Sequence, residues 1–154
     1  VGCYPEPHPE ARSAQDDIDI LKRKVDAGAD RAISNSFFNA DYFLRFRDRA
    51  VAAGIHVPIL PGIMPIANFK NNFNFARKTG VSVPESLVQL FEGLDEDPET
   101  ARLVAAKVAA ELCQTLQTHG VNLFHFYTLN RPDLAYATCH ILGLRPQAKA
   151  TVNS

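Results

Sequence analysis

Several groups of polar residues stand where apolar ones would be cheap, and each has the chemistry of a ligand contact. Tyr4-Pro5-Glu6-Pro7-His8-Pro9-Glu10 contains three prolines, which stiffen the segment and hold Tyr4, His8 and Glu10 in fixed directions. On composition alone, a rigid connector with solvated polar groups is the plainer reading. Asp17, Arg23 and Lys24 follow on one predicted helix. The two cations suit phosphate oxygens, although a solvated helix face has the same composition. Ser34-Asn35-Ser36 closes an apolar run. A carboxamide both donates and accepts, so it can read the edge of a heterocycle. Asparagine and serine also favour turns, and the two readings stand level. Asn68, Asn71, Asn72 and Asn74 interleave with Phe69, Phe73 and Phe75. Asparagine is a mediocre helix former, so this spacing marks either a ligand-facing helix or core phenylalanines beside solvated amides. Arg131 ends the run His125-Phe126-Tyr127-Thr128-Leu129-Asn130-Arg131, and a guanidinium there is a good carboxylate ligand. His125 lies inside the run and reads as a core histidine.

Other chemistries find no support. There is no glycine-rich phosphate loop, no Gly-x-Ser-x-Gly elbow and no His/Cys/carboxylate cluster with metal-ligand spacing. Cys3, Cys113 and Cys139 are scattered, which fits buried free thiols in a reducing cytoplasm. A net charge of -1 gives no electrostatic case for nucleic acid or an anionic membrane. No apolar run reaches the roughly 20 residues that a membrane helix needs.

The elements that must position these groups alternate between strand and helix. Val1 to Tyr4 reads as the end of a buried strand, so the chain is expected to be part of a larger barrel. Ser13 is a candidate cap for a helix closed by Gly28, with Ile18, Leu21 and Val25 at helical spacing. Arg31 to Phe38 predicts a strand running into a loop, Asp41 to Ala53 a helix with Phe43, Phe46 and Ala50 on one face. Val57 to Pro61 predicts a short strand with Pro58 at its start and Pro61 at its end, since a central strand excludes proline. Helices are predicted over Asn68 to Thr79, Pro84 to Phe91 and Asp97 to His119, the last with Pro98 at its first position. Leu123 to Leu129 predicts a strand, and Pro132 opens a last helix that Gly143 closes. Ala27-Gly28-Ala29, Ala53-Gly54-Ile55 and His119-Gly120-Val121 recur as joints from helix to strand. Strands separated by helices must be parallel. The resulting α/β sheet is either doubly wound or part of a (β/α)8 barrel, and a whole barrel takes about 250 residues. Residues 1–146 form the expected domain, and 147–154 the expected flexible tail.

Tyr4-Pro5-Glu6-x-His8-Pro9-Glu10, Leu21-Lys22-x-Lys24-Val25-x-Ala27-Gly28-Ala29, Leu60-Pro61-Gly62-Ile63-x-Pro65 and the His125 to Arg131 run resemble, in order and spacing, the methylenetetrahydrofolate reductases. The bacterial form, which has only the catalytic domain, is the most similar, and the resemblance covers Val1 to about Pro146. It implies the C-terminal half of a TIM barrel that reduces 5,10-methylenetetrahydrofolate to 5-methyltetrahydrofolate with FAD and NADH or NADPH. It further implies that Tyr4, His8, Asp17, Arg23 and Lys24 contact FAD, with Arg23 and Lys24 on phosphate or ribose. Arg131 would face the glutamate tail of folate. Phe75 would cover the site that nicotinamide and folate share in turn.

The same resemblance marks departures. Asn35 and Asn71 stand where the family has glutamine, Ser36 where an aromatic is usual, and Ile20 where a polar flavin contact is common. The family's general acid, a glutamate, and the aspartate near its flavin lie on strands of the other half, so no catalytic residue is expected in this chain. It should need that half, or a second copy, and should self-associate. The competing expectation is a self-associating half-barrel scaffold without activity.

Overall fold

The computed structural model describes residues 1–66 and 68–145. Its elements alternate as β1 (Gly2–Cys3), α1 (Ala14–Asp26), β2 (Ala32–Ser36), α2 (Ala40–Ala52) and β3 (Ile59–Ile63). There follow α3 (Phe69–Lys78), α4 (Glu85–Phe91), α5 (Pro98–Thr118), β4 (His125–Phe126) and α6 (Pro132–Ile141). Residues 147–154, where a tail was expected, lie outside the described residues.

Local chemistry sets the helix ends. Ser13 Oγ accepts from the Asp16 amide, Asn68 Oδ1 from Asn71 and Asp97 Oδ1 from Thr100, so each side chain satisfies an amide that the first turn leaves unpaired. Hydrogen bonding to Thr100 lowers the Asp97 pKa below its ordinary value. At the recurrent joints the glycine takes a left-handed conformation, as at Gly54 with φ +79°.

All three strand pairings are parallel, and the sheet order is β1-β2-β3-β4. A doubly wound sheet reverses its order at a switch point. Here each new strand joins beside the last, as in a (β/α)8 barrel, and that choice is settled. α1 and α2 pack on the sheet through Ile18, Leu21, Phe46 and Ala50, which join Cys3 and Ala32 in one cluster. The other side of α2 puts Phe43 and Leu44 against Ala109, Cys113 and Leu116 of α5. Phe37 and Phe43 stack at 5.4 Å between centroids. Buried Ala105, Ala106, Ala109 and Ala110 give α5 a small-residue face, so neighbouring elements approach it closely.

Two strands differ from expectation. The run Leu123 to Leu129 contains only a two-residue strand, His125–Phe126. Leu123 is exposed, and β4 pairs with β3 only through Gly62↔His125 and Ile63↔Phe126. Beyond it, Leu129 and Asn130 take φ of +47° and +62°, which turns the chain away from the sheet. The third strand also slides forward: Pro61 lies inside β3 rather than at its end. Its missing N–H is tolerated there because the neighbouring Gly62 N–H faces β2, so the Pro61 nitrogen faces β4, where pairing begins only at Gly62. Among the described residues no helix is long and apolar enough to cross a membrane.

Candidate functional site

The C-terminal ends of the strands open onto two cavities. The first, of about 350 Å³, is assembled from four elements. β2 supplies Asn35 and Ser36, the exit of β3 supplies Met64, α3 supplies Asn71, Asn72 and Phe75, and the exit of β4 supplies Tyr127 and Leu129. The α3 asparagines divide their labour. Asn68 caps the helix, and buried Asn72 accepts from the Asn68 amide through Oδ1 at 3.2 Å. Asn74 lies away from this cavity, beside Arg77 and Lys78. The side-chain carboxamides of Asn35 and Asn71 make no hydrogen bond among the described residues, so both remain available to a ligand. Phe75 is 49% exposed, an unusual exposure for a phenyl ring in a concave site and suited to a flat ligand.

The second cavity, of about 320 Å³, lies at the end of β1 and includes Tyr4, His8, Asp17, Ile20 and Lys24. The Tyr4 and His8 rings meet edge to face at 4.7 Å. The His8 amide donates to Asp17 Oδ2 at 3.0 Å, which pins the proline-rich loop to α1. Lys24 Nζ donates to the Gly2 carbonyl at 2.9 Å, leaving further donors for an anion. Arg23 is exposed and does not line this cavity. Ile20 presents carbon to it.

Arg131 also lies apart from Phe75. It lines a third cavity of about 200 Å³ with Arg102, Asp133 and Leu134, where the Arg102 guanidinium pairs with the Asp133 carboxylate. The turn that puts Leu129 on the first cavity puts Arg131 on the third, and the Arg131 amide donates to Thr128 O at 2.8 Å. The structure thus gathers Asn35, Asn71 and Phe75 in one place, Tyr4, His8, Asp17 and Lys24 in another, and leaves Arg23 and Arg131 outside both. Met64, Tyr127 and Leu129 entered the first cavity without having been singled out as ligand contacts, because a barrel rim is built by elements distant in the chain. Arg102 was equally silent, as one charge on a long helix.

Comparison with known proteins decides the lineage. The family model of methylenetetrahydrofolate reductase matches residues 1–143. The chain belongs to this family. The 5,10-methylenetetrahydrofolate reductase of Escherichia coli (strain K12) is 56% identical over 146 residues, covering 95% of this chain and 49% of the relative. The methylenetetrahydrofolate reductase (NADH) 1 of Arabidopsis thaliana is 35% identical, covering 97% of this chain and 27% of the relative. The chain therefore spans about half the length, or less, of these curated methylenetetrahydrofolate reductases. Among solved structures, an uncharacterized protein from Clostridium thermocellum that binds two copies of 5-methyl-5,6,7,8-tetrahydrofolic acid shares the fold, with a TM-score of 0.58 at 15% identity. That likeness covers 93% of this chain and 53% of the other.

Thiol chemistry at the edge of the second cavity is suppressed. Burial pushes the Cys3 and Cys113 thiols from an ordinary 9.0 up to about 12. A neutral thiol is a poor nucleophile, so a thiol reagent at pH 8 should modify only the half-buried Cys139 in the native chain, and all three cysteines after denaturation. Rapid labelling of Cys3 at pH 8 would contradict the burial seen here. The linkage has a definite sign. The folded pKa values lie above the unfolded ones, so these thiols stabilise the fold fully below about pH 9, and that contribution is lost as the pH rises towards about 12.

Proposed function

We propose that this chain forms the C-terminal half of an FAD-dependent reductase that converts 5,10-methylenetetrahydrofolate to 5-methyltetrahydrofolate with NAD(P)H. The observation that carries this reading is the convergence of unpaired Asn35 and Asn71 amides on an exposed Phe75 ring, beside the Tyr4–His8–Lys24 cavity, at the C-terminal rim of a parallel barrel sheet.

The residues of the second cavity fit one edge of FAD. Lys24 would place an ammonium against phosphate or ribose oxygens, while Tyr4 and His8 offer an aromatic wall. Asp17 already holds the His8 amide with one oxygen, which leaves the other to accept from a hydroxyl. When bound, the flavin supplies a two-electron relay between nicotinamide and folate. Arg23, exposed outside the cavity wall, would contribute at longer range.

In the first cavity Asn35 and Asn71 would orient the polar edge of the folate ring or the nicotinamide. Phe75 would cover whichever of the two is present, and Met64 and Leu129 would exclude water. Because asparagine is one methylene shorter than glutamine, each amide reaches less far, and a ligand must sit deeper to meet it. Arg131, with Arg102 beside it, would receive the carboxylate tail. The partner that closes the barrel is either a polypeptide matching the other half of the relatives or a second copy of this chain.

Flavin retention tests the proposal. The purified chain, mixed with FAD and freed of excess, should keep a visible flavin band. Lys24→Ala should weaken that retention by about tenfold, the usual scale for losing one hydrogen bond to a charged group. A chain that keeps no flavin and runs as a symmetric dimer would instead favour the inactive scaffold.

A further inference from the structure

The geometry points to Tyr127 as the residue that aims Asn35: its hydroxyl reaches across β3 and holds the irregular end of β2 in the conformation that presents the Asn35 amide to the first cavity. This rests on the reading of that cavity as the site for folate and nicotinamide.

The chain of cause begins in the β2–β3 ladder. Pairing is regular at Ala32↔Ile59 and Ile33↔Leu60, then shifts before Ser36↔Gly62. An irregularity of this kind re-aims side chains and leaves ladder groups unpaired. At this shift two buried backbone groups, the Gly62 N–H and the Ser34 carbonyl, are met by side chains. Ser34 Oγ accepts from the Gly62 amide at 2.9 Å. Tyr127 Oη donates to the Ser34 carbonyl at 3.0 Å, from 93 residues away in sequence. That carbonyl belongs to the peptide unit that leads into Asn35, so fixing it fixes where the next side chain points.

The ring can make this crossing only because the residue beneath it has no side chain. A Cβ at Gly62 would lie 2.5 Å from Tyr127 Cε2. His125, edge to face with Tyr127 at 4.8 Å, braces the ring from the strand side. Tyr127 also lines the cavity itself, so its ring forms part of the wall while its hydroxyl faces away from the ligand. Burial raises the phenol's pKa above its ordinary value, so it remains a donor throughout the neutral range.

The test uses Tyr127→Phe, which keeps the ring and deletes the hydroxyl, with Tyr136→Phe, an exposed tyrosine on α6, as control. In the ligand-free chain with asparagine labelled by ¹⁵N, Tyr127→Phe should shift and broaden the Asn35 side-chain amide signals, and Tyr136→Phe should leave them in place. Unmoved Asn35 signals in Tyr127→Phe overturn the proposal. Titration with 5-methyltetrahydrofolate gives the second readout. Tyr127→Phe should weaken binding by about tenfold. In the Tyr127→Phe background, Asn35→Ala should add far less than it costs alone, because the amide is already misaimed. Fully additive losses would mean that Tyr127 serves stability only, and would overturn it. A wild-type chain that binds no folate would sink the functional reading, and the amide signals would still decide the role of Tyr127.

Discussion

Gly62→Ala should cost the chain about 3 kcal/mol of stability or prevent folding, the upper range for forcing an extra methyl into a packed interior. A Cβ at this position would collide with the Ser34 carbonyl oxygen and come within 2.5 Å of Tyr127 Cε2. Neither neighbour can yield cheaply. The carbonyl belongs to a strand hydrogen-bonded on both sides, and the Tyr127 ring is pinned by its own bond to that carbonyl. The new methyl would therefore push β2 and β4 away from β3 together, and α2 and α5 pack on that region through Ile63. Gly2→Ala is the matched control, since nothing lies within 4 Å of a Cβ there, and it should change stability by less than about 0.5 kcal/mol. The urea midpoints of the two variants measure the difference. A Gly62→Ala variant as stable as the Gly2→Ala one would show that the three strands do not meet as closely as described.

The same crowding explains which features the sequence revealed. Helix caps at Ser13 and Asp97 were legible because a cap is a contact between residues three apart. The glycine joints and the parallel sheet followed from local signals for the same reason. The irregular end of β2 was not legible, since it depends on Gly62 and Tyr127 meeting it from elements distant in the chain. Pro61 itself was misplaced by a sound rule: proline is excluded from a strand only where the ladder needs its N–H, and here its nitrogen faces β4 before that pairing begins. The last strand looked longer than it is because its apolar run continues past the point where the backbone leaves the sheet at Leu129. In the site, Asn35 and Asn71 stood out as amides among apolar residues, whereas Phe75 was singled out only by the family resemblance. Tyr127, Met64 and Leu129 are ordinary core types, and only their position on the rim makes them part of the wall.

The second large effect concerns turnover. Among the described residues, the first cavity is lined by amides, one serine, one tyrosine and apolar side chains, with no carboxyl group. Its tyrosine is held as a neutral donor to the Ser34 carbonyl, and burial raises its pKa further. No group in this wall can deliver a proton to the folate and recover it near neutral pH. Asp17 and Glu10 belong to the second cavity, and Asp17 is tied to the His8 amide. Under the proposed function, protonation must then depend on a residue from the part of the barrel that this chain, at 49% of the E. coli relative, does not span. General acid help of this kind contributes about 10²–10⁴-fold to rate. The chain alone, supplied with FAD, NADH and 5,10-methylenetetrahydrofolate, should form 5-methyltetrahydrofolate slower by that factor than the same chain mixed with a polypeptide matching the other half of the relatives. A second portion of this chain should not substitute, because a copy brings the same carboxyl-free wall. Equal rates with and without the complementing half would show that a proton donor exists within these 154 residues, and would move the search to Glu10 and His8 beside the flavin cavity.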